Sequence, residues 1–346
     1  MSLVPVAVLA ALALAGTLYQ VIGATRQARR LPPPGQLIDV GGHRLHVRCM
    51  GTGSPPVLLE SAIAGSSLSW TVVQPEIAKF TRVCAYDRAG LAWSDAPAQP
   101  GTFERLVSEL TAVVSSMTSG ERCVLVGHSF GSFLVRAFAA RHPDRVAGLV
   151  LVDPAVEWLT LTPESARLLW GGRQLARIGV VLAHLGVVRA CLALLTGGRP
   201  GAPRRFVKVF GPTAARTLER LVGEVRKLPP EVHPIVQAHW CNPKGFRAIG
   251  AHLSALAHGV PPAAIRSSPT IPTVVISSRD QPPQQLTAHR QLAGESTEGR
   301  HLIATRSAHW VQFDEPGLVV EAVRELVYKA QGAVRRTQGT EHGAQG

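Results

Sequence analysis

The chain has 346 residues, 46% of them hydrophobic and only 5% aromatic, and its 36 Lys and Arg outnumber 23 Asp and Glu to give a formal charge of +13. With no zinc finger and no aromatic-basic module, that charge does not make nucleic acid a partner. Five cysteines at irregular spacing form neither a disulfide framework nor a metal site; they are compatible with reduced thiols in the cytoplasm, and one disulfide outside stays open.

Residues 1–25 carry no charged side chain and include Leu3, Val4, Val6, Val8, Leu9, Leu12, Leu14, Leu18, Val21 and Ile22. A helix of that length crosses a membrane. Arg26, Arg29 and Arg30 follow, so the positive-inside tendency puts the rest of the chain in the cytoplasm behind a single-pass anchor. The alternatives are an external anchor, or a secreted chain cleaved at Ala11-Leu12-Ala13 or Ala13-Leu14-Ala15. Residues 26–35 then form a basic, proline-rich linker.

Strands at 37–40 and 45–49 straddle Gly41-Gly42, a hairpin signal. Next come strand 56–60, helix 70–79, strand 82–86, helix 102–118, strand 122–127, helix 130–140 and strand 146–152. Short apolar runs alternating with helices predict an α/β fold whose mostly parallel sheet is flanked by helices on both faces. From 155 to 268 the pattern turns helical, broken at Gly197-Gly198-Arg199-Pro200-Gly201 and Leu228-Pro229-Pro230, and strand character returns at 271–278. Residues 155–268 therefore form an insertion between two parts of one core, 36–154 and 269–335. The insertion is basic at Arg199, Arg204, Arg205, Lys208, Arg216, Arg220, Arg226 and Lys227, which suits an anionic headgroup or an acidic substrate. His233, His239 and Cys241 lack regular metal-ligand spacing. The polar, glycine-rich residues 336–346 read as a frayed tail.

The chemistry concentrates in Gly127-His128-Ser129-Phe130-Gly131, between the apolar run Cys123-Val124-Leu125-Val126 and a helical segment. A sharp strand-to-helix turn needs glycines two before and two after the serine, because a Cβ there would strike neighbouring backbone. A serine hydroxyl at neutral pH needs a histidine base and an acid to orient it. Strand 271–278 is followed by Asp280 and strand 301–305 by His309, which gives Ser129 as nucleophile, His309 as general base and Asp280 as the orienting acid. Asp153, at the end of strand 146–152, is the alternative acid; its simpler role is closing the turn before Pro154.

From residue 36 to about 327 the chain resembles the α/β-hydrolase superfamily, in its serine-nucleophile branch with a helical cap. The resemblance rests on the serine motif, on Val57-Leu58-Leu59-Glu60-Ser61-Ala62, on Asp87-Arg88-Ala89-Gly90-Leu91-Ala92-Trp93-Ser94, and on His142-Pro143-Asp144-Arg145-Val146 before Leu149-Val150-Leu151-Val152-Asp153. It implies that 155–268 caps the active site and that the backbone amides of Ala62 and Phe130 form the oxyanion hole. It also implies hydrolysis of a carboxylic ester, with lipid-like esters among the candidates, through an acyl-enzyme, with no cofactor or metal. Two departures stand out: Ala92 replaces a glycine, and Glu60-Ser61 replaces His-Gly, which leaves Glu60 to pair with Arg88 or another local donor. Haloalkane or epoxide hydrolysis in this fold needs a carboxylate where Ser129 stands. The competing function is a catalytically inactive hydrolase-like protein that binds a lipid or a partner.

Overall fold

The computed structural model describes residues 4–97, 101–156, 162–196, 227–260, 262–266 and 268–343. Its centre is an eight-stranded sheet in the order β1-β2-β4-β3-β5-β6-β7-β8. The strands are β1 (Gln36–Asp39), β2 (Arg44–Met50), β3 (Val57–Glu60), β4 (Val83–Tyr86), β5 (Cys123–His128), β6 (Val146–Val152), β7 (Thr273–Ser278) and β8 (Gly299–Ala304). β1 and β2 pair antiparallel with each other and β2 with β4, while β3 to β8 run parallel.

The apolar runs become central strands because both of their faces are covered. In β5, Cys123 and Leu125 face one core layer with α3 (Phe103–Thr118) and α4 (Gly131–Arg141). Val124 and Val126 face the other, built with Trp70, Ile77 of α2 (Gln74–Ile77), and Val319 and Val323 of the C-terminal helix. The helix expected at 70–79 is split into a 3-10 turn, Ser67–Trp70, and α2.

Between β6 and β7 stand the described cap helices α5 (Pro163–His184), α6 (Val187–Thr196), α7 (His233–Trp240) and α8 (Pro243–Ala257). Of the basic cluster expected there, all but Lys227 lies outside the described residues. Lys227 pairs with Asp314 at 2.8 Å. Beyond β7 come α9 (Pro283–Gly294), α10 (Val311–Asp314) and α11 (Pro316–Gly343).

Two expectations are corrected, and the disulfide that stayed open is found. The N-terminal helix α1 (Val4–Arg30) runs through the arginines, because an established helix adds a hydrogen bond for each further residue. The stiff connection is thereby reduced to 31–35. The same propagation through Arg, Gln and Glu carries α11 to Gly343, so most of the tail expected at 336–346 is helical. Cys49 and Cys84 form a disulfide, because the β2/β4 register sets them directly opposite each other. The other three cysteines are free.

Candidate active site

Ser129 occupies the turn between β5 and α4 with φ +53°, a left-handed conformation rare for a side chain larger than glycine. Its amide is tied to the end of β6 by a 2.9 Å bond to the Val152 carbonyl. A Cβ on Gly127 would lie 2.8 Å from the Ser132 backbone nitrogen, and one on Gly131 2.7 Å from the carbonyl oxygens of both Glu60 and Ser61. Both glycines are thus required by backbone approach. Ser129 is left half-buried, and its hydroxyl makes no hydrogen bond among the described residues.

His309 lies in the loop after β8, and its Nδ1 is 2.7 Å from Oδ2 of Asp153. Asp280 is not there. It lies in solvent, 58% exposed, bound to its neighbour Arg279 at 2.9 Å. The turn after β7 sends other groups inward: the Ser278 amide donates to Asp153 Oδ1 at 2.8 Å, while the Ser278 hydroxyl at 3.0 Å and Gln281 Nε2 at 2.8 Å donate to Oδ2. The expected acid position therefore supplies donors to the alternative acid. Burial acts to raise the Asp153 carboxyl, but the bond to His309 and those from Ser278 and Gln281 prevail and hold it below the ordinary value. An ionised Asp153 accepts from His309 Nδ1–H, so in the neutral tautomer of His309 the acceptor nitrogen is Nε2.

Behind this pair stands a second histidine. His128 is fully buried; Gln312 Nε2 donates to its Nδ1 at 3.1 Å, so its Nε2–H donates to the His309 carbonyl at 2.9 Å. Burial, and then the proximity of His309, push the His128 pKa down to about 3, so the ring is neutral and stays a one-way donor. A further chain holds the Asp153 turn, with His301 and His289 both bonded to the Ser277 hydroxyl at 2.7 Å and His289 Nε2 donating to the Pro154 carbonyl at 2.9 Å. His128 was visible in the motif only as a variable position, and nothing in the sequence marked His289, His301 or Gln312.

Ala62, two residues past the end of β3, and Phe130, directly after Ser129, are buried residues whose amides donate no hydrogen bond among the described residues. Buried unpaired N–H groups are rare. The Glu60 carboxylate lies in a buried cluster where Arg88 and Tyr86 both donate to it. Arg88 also donates to the carbonyls of Ser61, at 2.7 Å, and Ala62. The departure at Glu60-Ser61 thus replaces a side chain on the loop with an ion pair that fixes the loop's carbonyls, and hence its amides. Burial raises the Glu60 carboxyl above its ordinary value, with Arg88 and Tyr86 pulling against it. From the cap, His252 of α8 bonds the Ile63 carbonyl at 2.9 Å and lies 5.8 Å from the Phe130 ring. The cap therefore touches both sides of this pair of amides.

The chain is similar to several hydrolases. A 2-hydroxymuconate semialdehyde hydrolase from Pseudomonas sp. strain CF600 is 32% identical over 142 residues, 40% of this chain and 50% of that protein, so the chain spans about half the length of such curated relatives. A haloalkane dehalogenase from Sphingobium indicum is 25% identical over 305 residues, covering 86% of this chain and 96% of that one. Among solved structures, a thermophilic esterase from Thermogutta terrifontis superposes with a TM-score of 0.59 at 20% identity, covering 86% of this chain and 99% of that one; this likeness shows the fold. The sequence pattern of the alpha/beta hydrolase fold matches residues 55–316, and with its parallel sheet, inserted helical cap and serine turn the chain belongs to the α/β-hydrolase family.

Proposed function

We propose that the protein is a serine hydrolase of carboxylic esters, with Ser129 as nucleophile, His309 as base and Asp153 as the orienting acid. The observation that carries this is the pairing of a left-handed Ser129, raised on a turn whose glycines admit no Cβ, with a His309 whose Nδ1 is fixed by a buried carboxylate. Ser129 Oγ attacks the ester carbonyl and its proton passes to His309 Nε2. The amides of Ala62 and Phe130 take the oxyanion, each such donor contributing about 3 kcal/mol to the transition state. His309 then returns the proton to the leaving alkoxide, and water repeats the cycle on the acyl-enzyme. Hydrolysis by a carboxylate nucleophile is disfavoured by the hydroxyl at 129, in spite of the dehalogenase likeness.

The substrate class follows from the surroundings. An 18-residue stretch of α1 has a mean hydropathy of 1.9 and is only 6% buried, so we infer a single-pass anchor and a lipid-like ester presented at a membrane. The Cys49–Cys84 disulfide favours the oxidising, external side of that membrane over the cytoplasmic side that the arginines suggested.

The competing reading is an inactive, lipid-binding or partner-binding member of the family. It is favoured by the absence of a Ser129–His309 hydrogen bond among the described residues, although such bonds commonly tighten only with substrate. Turnover of p-nitrophenyl acyl esters of graded chain length, measured on the purified full chain and on Ser129→Ala, separates the two. Serine-dependent turnover supports the hydrolase. A folded protein that binds lipid vesicles but turns over no ester supports the binding protein.

A further inference from the structure

The apolar N-terminal helix is docked on the cap. A Cβ on Gly16 would lie 2.2 Å from the Leu185 carbonyl oxygen, at the bend between α5 and α6, and one on Gly186 would lie 2.4 Å from the carbonyl oxygen of Gly16. Helix α1 and the bend meet there backbone to backbone, as helices do through small residues. Further along α1, Gln20 accepts from Arg189 Nε at 2.9 Å and donates to the Cys241 carbonyl at 2.8 Å, while Gln27 accepts from Arg189 Nη1 at 2.6 Å. Arg189 is 7% exposed. Together with the close approach of Gly23 to the same side chain, these bonds tie α1 to the cap.

The docking sets a length problem. Among the described residues these contacts run from residue 16 to residue 27, and the stretch of α1 before them, residues 5–15, spans about 17 Å at ~1.5 Å per residue. A hydrocarbon core is about 30 Å thick. If α1 crosses it, the docked half of α1 is inside as well, together with the part of the cap packed against it. That part is apolar outward: Ile178 and Val181 of α5 are 54% and 57% exposed, and Val187 and Leu194 of α6 are 39% and 70% exposed. Leu18, Val21 and Ile22 on the docked half of α1 are exposed as well. The helix pair bends by 86°, so α5 and α6 form a wedge whose two arms together are apolar enough to enter a bilayer. Arg189, a charge inside the contact, is bonded to both glutamines, as a cation in hydrocarbon must be. Arg173 and Arg177 of α5 and Arg247 of α8 line, with Phe246, a cleft of about 220 Å³, and none of the three has an ion-pair partner among the described residues. They are placed to meet anionic headgroups.

We propose that the α5–α6 corner of the cap is seated in the bilayer beside α1, so that the lipid surface holds the cap as well as the anchor. This rests on α1 being a membrane helix, and the test separates the two statements. The full chain, carrying Cys191→Ser, is labelled with an environment-sensitive fluorophore at Val181→Cys or Leu194→Cys, with Leu9→Cys as the hydrocarbon reference and Gln284→Cys on α9 as the aqueous one. Ester turnover in detergent checks that each variant is folded. In vesicles of phosphatidylcholine and phosphatidylglycerol, labels at 181 and 194 are expected to be quenched by bromines on the acyl chains as the label at 9 is, and to be several-fold less sensitive to aqueous iodide than the label at 284. If the protein floats with the vesicles and the label at 9 is bromine-quenched while those at 181 and 194 respond to iodide, the anchor stands and the seated corner is wrong. Labels at 181 and 194 reached by neither quencher would mean that protein covers the corner, which also overturns it. A chain that does not float, with the label at 9 in water, overturns the anchor and the corner with it.

Discussion

Replacing Asp153 by Asn separates the two candidate acids with a change of one atom. Asp153 is completely buried and accepts four hydrogen bonds, one on Oδ1 and three on Oδ2. The partner of Oδ1 is the Ser278 backbone N–H, a donor that cannot change its role. All three partners of Oδ2 can: the Ser278 hydroxyl rotates, the Gln281 amide flips, and His309 exchanges tautomers. The Asn amide will therefore keep its oxygen toward the Ser278 amide and turn its NH2 toward His309. His309 must then accept at Nδ1 and carry its proton on Nε2, where it can no longer take the proton of Ser129. A wrong tautomer of this kind costs about 10⁴ in kcat, ~5.4 kcal/mol. Asp280→Asn disturbs only a solvent-exposed contact with Arg279, where an ion pair contributes little, and turnover should be unchanged. Steady-state ester hydrolysis on both variants, with circular dichroism to check folding, is the assay. Near wild-type turnover in Asp153→Asn, or a large loss in Asp280→Asn, would refute this assignment.

Gly131→Ala places a Cβ 2.7 Å from two backbone carbonyls of the Ala62 loop; we expect that loop to be displaced and kcat/KM to fall by about 10²–10³, as for a lost oxyanion donor, and an unchanged rate would remove the loop from the mechanism. His128 should make stability pH-dependent: its folded pKa of about 3 lies below the unfolded value of about 6.5, so the unfolded chain binds a proton that the folded one refuses, and stability is lost as pH falls through that window. Urea unfolding at pH 6.5 and pH 4.5 should show the wild type losing about 2.3 kcal/mol more than His128→Gln; equal losses would contradict the neutral, buried ring. Thiol alkylation of membranes before reduction should leave Cys49 and Cys84 unlabelled, and protease added to intact cells should degrade the catalytic domain; labelled thiols and a protected domain would put it in the cytoplasm.

What was legible in the sequence was what local pattern dictates. Strands β3 to β7 lie within two residues of their expected positions, because each is an apolar run buried on both faces and needs no partner to be recognised. The serine turn was legible because its glycines answer a local steric demand. The acid was not, since the choice between Asp153 and Asp280 depends on which side chain points at His309 once β6, β7 and β8 lie side by side, and both follow a strand in the right order. The Cys49–Cys84 bond depends likewise on a register between strands 35 residues apart in sequence. Glu60 was expected to pair with Arg88 or another local donor; Arg88 does pair with it, and Tyr86, which nothing in the sequence marked, shares the same carboxylate. Gln20 and Gln27 on an apolar helix were silent until Arg189 was seen between them.

The central claim is that Ser129 is a nucleophile activated by His309. It is tested most directly by treating the full-length protein with a fluorophosphonate and mapping the adduct by mass spectrometry. We expect one phosphonyl group, located on Ser129, formed at least ~10³-fold more slowly in His309→Ala and not at all in Ser129→Ala. Labelling at another residue, or ester turnover that survives in Ser129→Ala, would contradict the account.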